Sequence, residues 1–195
     1  MSIVLDGTTG VTAPALTGFI DAANLTGALP AIDGSALTGL SGGNITLATP
    51  ITFTGQTSVL FTGIPATAKR VTVMLDQAYN NIGSYPKFYL GTSAGIETSG
   101  YVCATSRILG TNASTTSSTG YFILNDLTYT PLSGTFTIEV TDGNTWIANG
   151  NFSMPNSNGT VWVSGSKTLA GTLDRIQYEA TGGISSGTIN ISWEE

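Results

Sequence analysis

The sequence predicts an all-β protein, in which a C-terminal antiparallel β-sandwich of the jelly-roll kind (residues 44–195) follows a glycine-rich extended repeat stalk. Three observations carry this. Apolar residues recur at every second position in many runs of the C-terminal part, the period of a strand with one buried face. Turn-forming clusters such as Asp142-Gly143-Asn144 and Asn156-Ser157-Asn158-Gly159 separate the runs. No segment keeps a helical period over three turns.

Composition points the same way. Hydrophobic residues are 41% of the 195 and charged residues only 9%, against roughly a quarter in an average domain. Thr, Ser, Asn and Gly supply the polarity: Thr favours strands, while Gly and Asn fill the positive-φ positions of tight turns. The formal net charge is −6, with no basic cluster. Nucleic acid is therefore not an expected partner, since binding it requires Lys and Arg against the phosphates. There is no histidine, which removes Ser-His-Asp and Cys-His catalysis, His-ligated zinc and imidazole acid–base steps. Cys103 is the single cysteine, within Tyr101-Val102-Cys103-Ala104, and is expected to be a buried thiol packing as a small hydrophobe. No cofactor and no metal are expected.

In chain order, residues 2–6 alternate loosely and suit one short strand, and Asp6-Gly7-Thr8-Thr9-Gly10 breaks it. The start lacks a basic segment followed by a long apolar run, so the expectation is cytoplasmic synthesis without a cleaved leader. No apolar stretch nears the roughly 20 residues of a spanning helix, and membrane insertion is not expected. Next come Ala15-Leu16-Thr17-Gly18 and two fuller copies of the same pattern. These are Ile20-Asp21-Ala22-Ala23-Asn24-Leu25-Thr26-Gly27 and Ile32-Asp33-Gly34-Ser35-Ala36-Leu37-Thr38-Gly39. Each copy is too poor in apolar side chains to offset an ordering cost of about 1–2 kcal/mol per residue. Such units hold together by stacking on neighbours. The expected neighbours are sister chains, with Ile20, Leu25, Ile32 and Leu37 turned inward. Ser41-Gly42-Gly43 reads as a joint, which ends the stalk (11–43) and opens the head (44–195).

The head holds the strand runs: Ile51 and Phe53, then Val71, Val73 and Leu75, then Phe136, Ile138 and Val140, then Val161 and Val163, and last Ile189, Ile191 and Trp193. About ten such runs fit a sandwich. Trp193, in phase with two isoleucines, is read as core. Two stretches, Asn80–Tyr85 and Gly110–Ser118, read as long polar loops, either binding loops or plain surface excursions.

Tyr79, Asn80, Asn81 and Tyr85 form one candidate binding constellation, rigid aromatics beside adaptable amides. Trp146, after the turn at Asp142, and Trp162, between Val161 and Val163, are further candidates. An aromatic face takes the CH face of a sugar while amides and carboxylates take its hydroxyls. The sandwich core is nevertheless the favoured place for both tryptophans, since Trp is highly buried on average. The carboxylates Asp76, Glu97, Asp126, Glu139, Asp142, Asp174 and Glu179 are scattered, with no spacing that marks a catalytic pair. Gly165-Ser166-Lys167-Thr168 lacks the first glycine and the helix of a phosphate loop, and Asp142-Gly143-Asn144 offers too few ligands for calcium. No catalytic residue is assigned.

The opening Met1-Ser2-Ile3-Val4-Leu5-Asp6-Gly7-Thr8-Thr9-Gly10 with its Leu-Thr-Gly repeats resembles the start of many bacteriophage tail-fibre and virion-appendage proteins. The second half is similar to a phage fibre head domain through Phe61-Thr62-Gly63-Ile64-Pro65, Lys69-Arg70-Val71-Thr72-Val73, Leu90-Gly91-Thr92-Ser93-Ala94-Gly95-Ile96-Glu97 and Thr98-Ser99-Gly100-Tyr101. Gly143-Asn144-Thr145-Trp146, Gly165-Ser166-Lys167-Thr168-Leu169 and Gly187-Thr188-Ile189-Asn190-Ile191-Ser192-Trp193-Glu194 continue it in the same order. The resemblance implies a homotrimer on the virion (tail, baseplate or capsid surface), with an exposed head that binds a host-surface glycan. Residues 1–10 would hold other virion proteins through Ile3, Val4 and Leu5, since the long attachment domain of large podophage fibres is not seen here. A decoration fibre without a receptor is the alternative, and a polysaccharide-degrading enzyme a more distant one.

Overall fold

A computed structural model describes residues 45–81, 85–124 and 131–195. The attachment residues Ile3, Val4 and Leu5, the stalk residues Ile20, Leu25, Ile32 and Leu37, and Asp126 lie outside the described residues. The described residues all belong to the compact unit that begins at Ser41.

The described part is all-β, apart from one turn of 3-10 helix at Pro155–Ser157. Its strands are β1 (Ile45–Leu47), β2 (Ile51–Thr52), β3 (Ser58–Thr62), β4 (Arg70–Asn80), β5 (Lys87–Thr92), β6 (Gly95–Ile96) and β7 (Tyr101–Leu109). To these the chain adds β8 (Asn112–Ser118), β9 (Phe122–Ile123), β10 (Pro131–Asp142), β11 (Thr145–Met154), β12 (Gly159–Thr168), β13 (Arg175–Glu179) and β14 (Ile184–Glu194). They form two antiparallel sheets. The nine-stranded sheet runs β1-β14-β4-β10-β11-β12-β7-β8, with β2 also on β14. The five-stranded sheet runs β3-β13-β5-β6, with β9 also on β5.

Alternation decides which face is buried. In β4, Val71, Val73 and Leu75 point inward, and Arg70, Thr72, Met74 and Asp76 point out. In β11 the inward set is Trp146, Ala148, Phe152 and Met154. The two sheets meet along an aromatic seam. Phe88 of β5 stacks on Phe136 of β10, with ring centres 4.5 Å apart and planes 8° apart. Tyr178 of β13 lies 5.1 Å from Phe88, and Phe122 of β9 lies 5.3 Å from Phe136. This seam makes the fold a sandwich rather than two independent sheets.

Two expectations change. Gly110–Ser118 is not a loop: only Gly110 and Thr111 turn, and Asn112–Ser118 is strand β8, paired with β7 at the edge of the large sheet. Its Ser and Thr residues have strand propensity without the apolar alternation that announces a strand. Trp193 is half-buried, packed against the rim of the core rather than inside it. Gly165–Thr168 lies within β12, and Lys167 turns inward to an ion pair with Glu97. Cys103 is buried as expected; burial pushes its thiol up from the ordinary value, despite hydrogen bonds to Ile123 and Thr105 that pull it down.

Candidate functional site

The candidate site is the outward face of the nine-stranded sheet, and strand register assembles it. Between β11 and β12 the chain reverses through Pro155–Ser157 and Asn158, which adopts φ 49°. Asparagine tolerates this left-handed conformation, which most residues avoid. Met154 then pairs with Gly159, where an added Cβ would stand 2.7 Å from the Ile108 carbonyl oxygen of the neighbouring strand, a backbone atom that cannot swing aside, so the close approach favours glycine. That register sets Asn151 beside Trp162 and Asn149 beside Ser164. On the other side, β10 sets Thr135 beside Asn151 and Thr137 beside Asn149. Two rows of outward side chains result: Thr135–Asn151–Trp162 and Thr137–Asn149–Ser164. Directly opposed residues on one sheet face lie within about 5.5 Å of each other at Cβ.

These six side chains line a shallow depression of about 420 Å³. Trp162 is 44% exposed, an unusual position for a ring of this size in mid-sheet. Around it stand two amides and three hydroxyls, a mixture of donors and acceptors with no charge. An indole wall flanked by uncharged hydrogen-bonding groups suits a ligand with an apolar face and a polar rim.

A second depression of about 360 Å³ adjoins the first, sharing Thr137 and Asn149, and extends to Thr72, Arg70, Glu139 and Glu194. Arg70 lies between the two glutamates on three adjacent strands. Its Nε donates to Glu139 Oε1 at 2.6 Å, and its Nη1 to Glu194 Oε2 at 3.0 Å. The hydrogen bond to Glu139, then that to Glu194, holds the guanidinium above its already high ordinary value.

The six residues expected to bind ligand do not come together. Trp162 stands in the depression. Trp146 lies on the opposite face of the same sheet, 4% exposed within the core, because it is in phase with Ala148 and Phe152. Asn80 is fully buried: Tyr178 Oη donates to its Oδ1 at 3.0 Å, and its Nδ2 donates to the Ala78 carbonyl at 3.4 Å. It serves the core, and a surface ligand does not reach it. Burial raises the Tyr178 phenol pKa, with the Asn80 bond opposing. Tyr79 and Asn81 are half-buried and Tyr85 is exposed, while the residues between Asn81 and Tyr85 lie outside the described set.

Thr135, Thr137, Asn149, Asn151 and Ser164 are the part that sequence reasoning missed. A signal existed in β11, where Asn149 and Asn151 fall out of phase with Trp146, Ala148 and Phe152 and must face outward. Of the carboxylates, Glu139 and Glu194 are bound by Arg70, Glu97 by Lys167, Glu179 by Lys87 and Asp174 by Arg175.

No known protein-family model matches this chain, and no curated protein is significantly similar to it in sequence.

Proposed function

We propose that this chain is a structural fibre protein of a bacteriophage virion rather than an enzyme. In this reading it is a homotrimer, held to other virion proteins by residues 1–10, with a jelly-roll-like head that binds a glycan of the host surface. The observation that carries the binding role is Trp162, an exposed indole in mid-sheet set beside Asn151, with Asn149, Thr135, Thr137 and Ser164 around it. A pyranose offers an apolar CH face to the ring and hydroxyls to the amides and threonines. The fibre role draws its support from the repeats at 20–27 and 32–39 and from the ordered resemblance along the chain.

Trp162→Ala is expected to weaken adsorption to host cells, or binding on a glycan array, by about tenfold or more. Because the ring lies outside the core and is 44% exposed, the variant should still fold and melt cooperatively, so that lost binding is not lost structure. Unchanged adsorption and array binding would remove the receptor role and favour a decoration fibre. The assembly is tested separately: the double variant Leu25→Asp, Leu37→Asp should dissociate the trimer to monomers in mass photometry while circular dichroism retains the β signal of the head. A double variant that remains trimeric would place the trimer contacts elsewhere.

A further inference from the structure

The depression around Trp162 does not end at its polar rim but opens into the Arg70–Glu139–Glu194 cluster, through Thr137 and Asn149, which line both. We propose that this cluster is a specificity subsite, which admits neutral and amino sugars and refuses acidic ones. The inference rests on the glycan-binding reading above and narrows its ligand class.

Charge is the first discriminator. One guanidinium between two carboxylates leaves the cluster at −1, counting +1 for Arg70 and −2 for Glu139 and Glu194. Arg70 is the natural residue to grip a sugar carboxylate, because its planar fork of donors matches one. Here the fork is already engaged: Nε is committed to Glu139, and Nη1 to both oxygens of Glu194, at 3.2 and 3.0 Å. An acidic sugar arriving at the second depression would have to displace a fixed carboxylate and then lie against the other. Along the outward row the cluster has no other cation as a neighbour: Glu139 is succeeded by Ile147, Ser166 and Val102, and Glu194 by Ile45, while the exposed Lys69 before Arg70 does not line the depression. The chain as a whole, at −6, repels anions at longer range as well.

What the cluster does offer is acceptors. An ionised carboxylate accepts at about four lone-pair positions and donates none, and Arg70 takes only part of that capacity. Sugar hydroxyls, amide N–H groups and ammonium groups are donors of the required kind. Thr72 and Thr137, whose hydroxyls lie 3.3 Å apart in a mutual hydrogen bond, complete a wall that holds no further charge. The ring of Trp162 would then fix one sugar by its apolar face, while the glutamates select the functional groups of its neighbour along the groove.

The test uses the full-length protein on an array of neutral, amino-sugar and uronic or sialic acid glycans, with wild type, Trp162→Ala, and the double variant Glu139→Gln, Glu194→Gln. All three side chains of the cluster are well exposed, so the double variant should fold, and a melting curve checks this. Wild type is expected to bind neutral or amino sugars only. The double variant, whose cluster changes from −1 to +1, should lose about tenfold on amino sugars and gain about tenfold on acidic ones. Acidic glycans bound by wild type as well as neutral ones, through a Trp162-dependent site, would overturn the subsite while leaving the glycan reading intact. Binding that Trp162→Ala does not weaken, or no binding to any glycan, would overturn the glycan reading and the subsite with it.

Discussion

Phe136→Ala is expected to destabilise the sandwich by about 3–5 kcal/mol, the range for truncating a fully buried phenylalanine. Whole domains have only about 5–15 kcal/mol to lose, so the variant should be close to unfolded at moderate temperature. Phe136 has no exposed surface and touches both sheets: its ring stacks on Phe88 and leans on Phe122. Its neighbours cannot close the gap. Across the strand from it lies Gly150, where even an added Cβ would stand 2.7 Å from Val163 Cγ1 and 3.1 Å from the Phe136 ring. Glycine there has no side chain to swing into the space the ring vacates, so a cavity persists between the sheets. The loss should appear as a lower chemical-denaturation midpoint with unchanged slope, and Phe136→Leu should lose less. A cost under about 1 kcal/mol, the centre of the range for ordinary substitutions, would mean that the seam does not hold the sheets together.

How much of this was legible in the sequence depends on how each strand earns its place. β4, β10, β12 and β14 alternate large apolar residues with polar ones, and their faces can be read directly: Val71, Val73 and Leu75 inside, Thr72 and Met74 outside. β11 is harder, because close packing at its centre demands Ala148 and Gly150, and these give little hydropathy signal. β8 has almost none, being Asn112-Ala113-Ser114-Thr115-Thr116-Ser117-Ser118. The candidate site was legible only in part. The phase of Trp162 against Val161 and Val163 allowed an outward ring, but its neighbours Asn151 and Thr135 come from two other strands. Register between strands is set by turn geometry such as the left-handed Asn158, which a one-strand pattern does not encode. Asn80 misled for a related reason: amides are usually exposed, and its partner Tyr178 is 98 residues away.

The second large effect is expected at Glu97. Its carboxylate meets the ammonium of Lys167 at 2.5 Å, and Lys167 is only 5% exposed while Glu97 is 22% exposed. Lys167 Nζ also donates to the Thr168 carbonyl at 2.8 Å and lies 5.4 Å from the centre of the Tyr101 ring. Glu97→Ala leaves that ammonium buried without a counter-charge, and removing one partner of a buried pair costs about 3–5 kcal/mol. Lys167→Met should cost less, since Glu97 still reaches water and still accepts the Ala170 N–H at 2.9 Å. The double variant Glu97→Ala, Lys167→Met should recover part of the loss, as a double-mutant cycle would measure. Acid titration supplies an independent readout. Partial burial pushes the Glu97 carboxyl up, but the hydrogen bonds from Lys167 and Ala170 and the Lys167 charge outweigh it and leave it below the ordinary 4.5. A carboxyl lowered on folding contributes stability that is present above its unfolded value and disappears as the pH falls through the folded one. Wild-type stability should therefore drop below about pH 4.5, and the drop should flatten in Glu97→Ala, whose remaining stability no longer depends on keeping that carboxylate ionised. If single and double variants add without coupling, or the acid limb is unchanged, the pair does not tie the β6–β7 connection to β12, and Lys167 is held by Thr168 and Tyr101 alone.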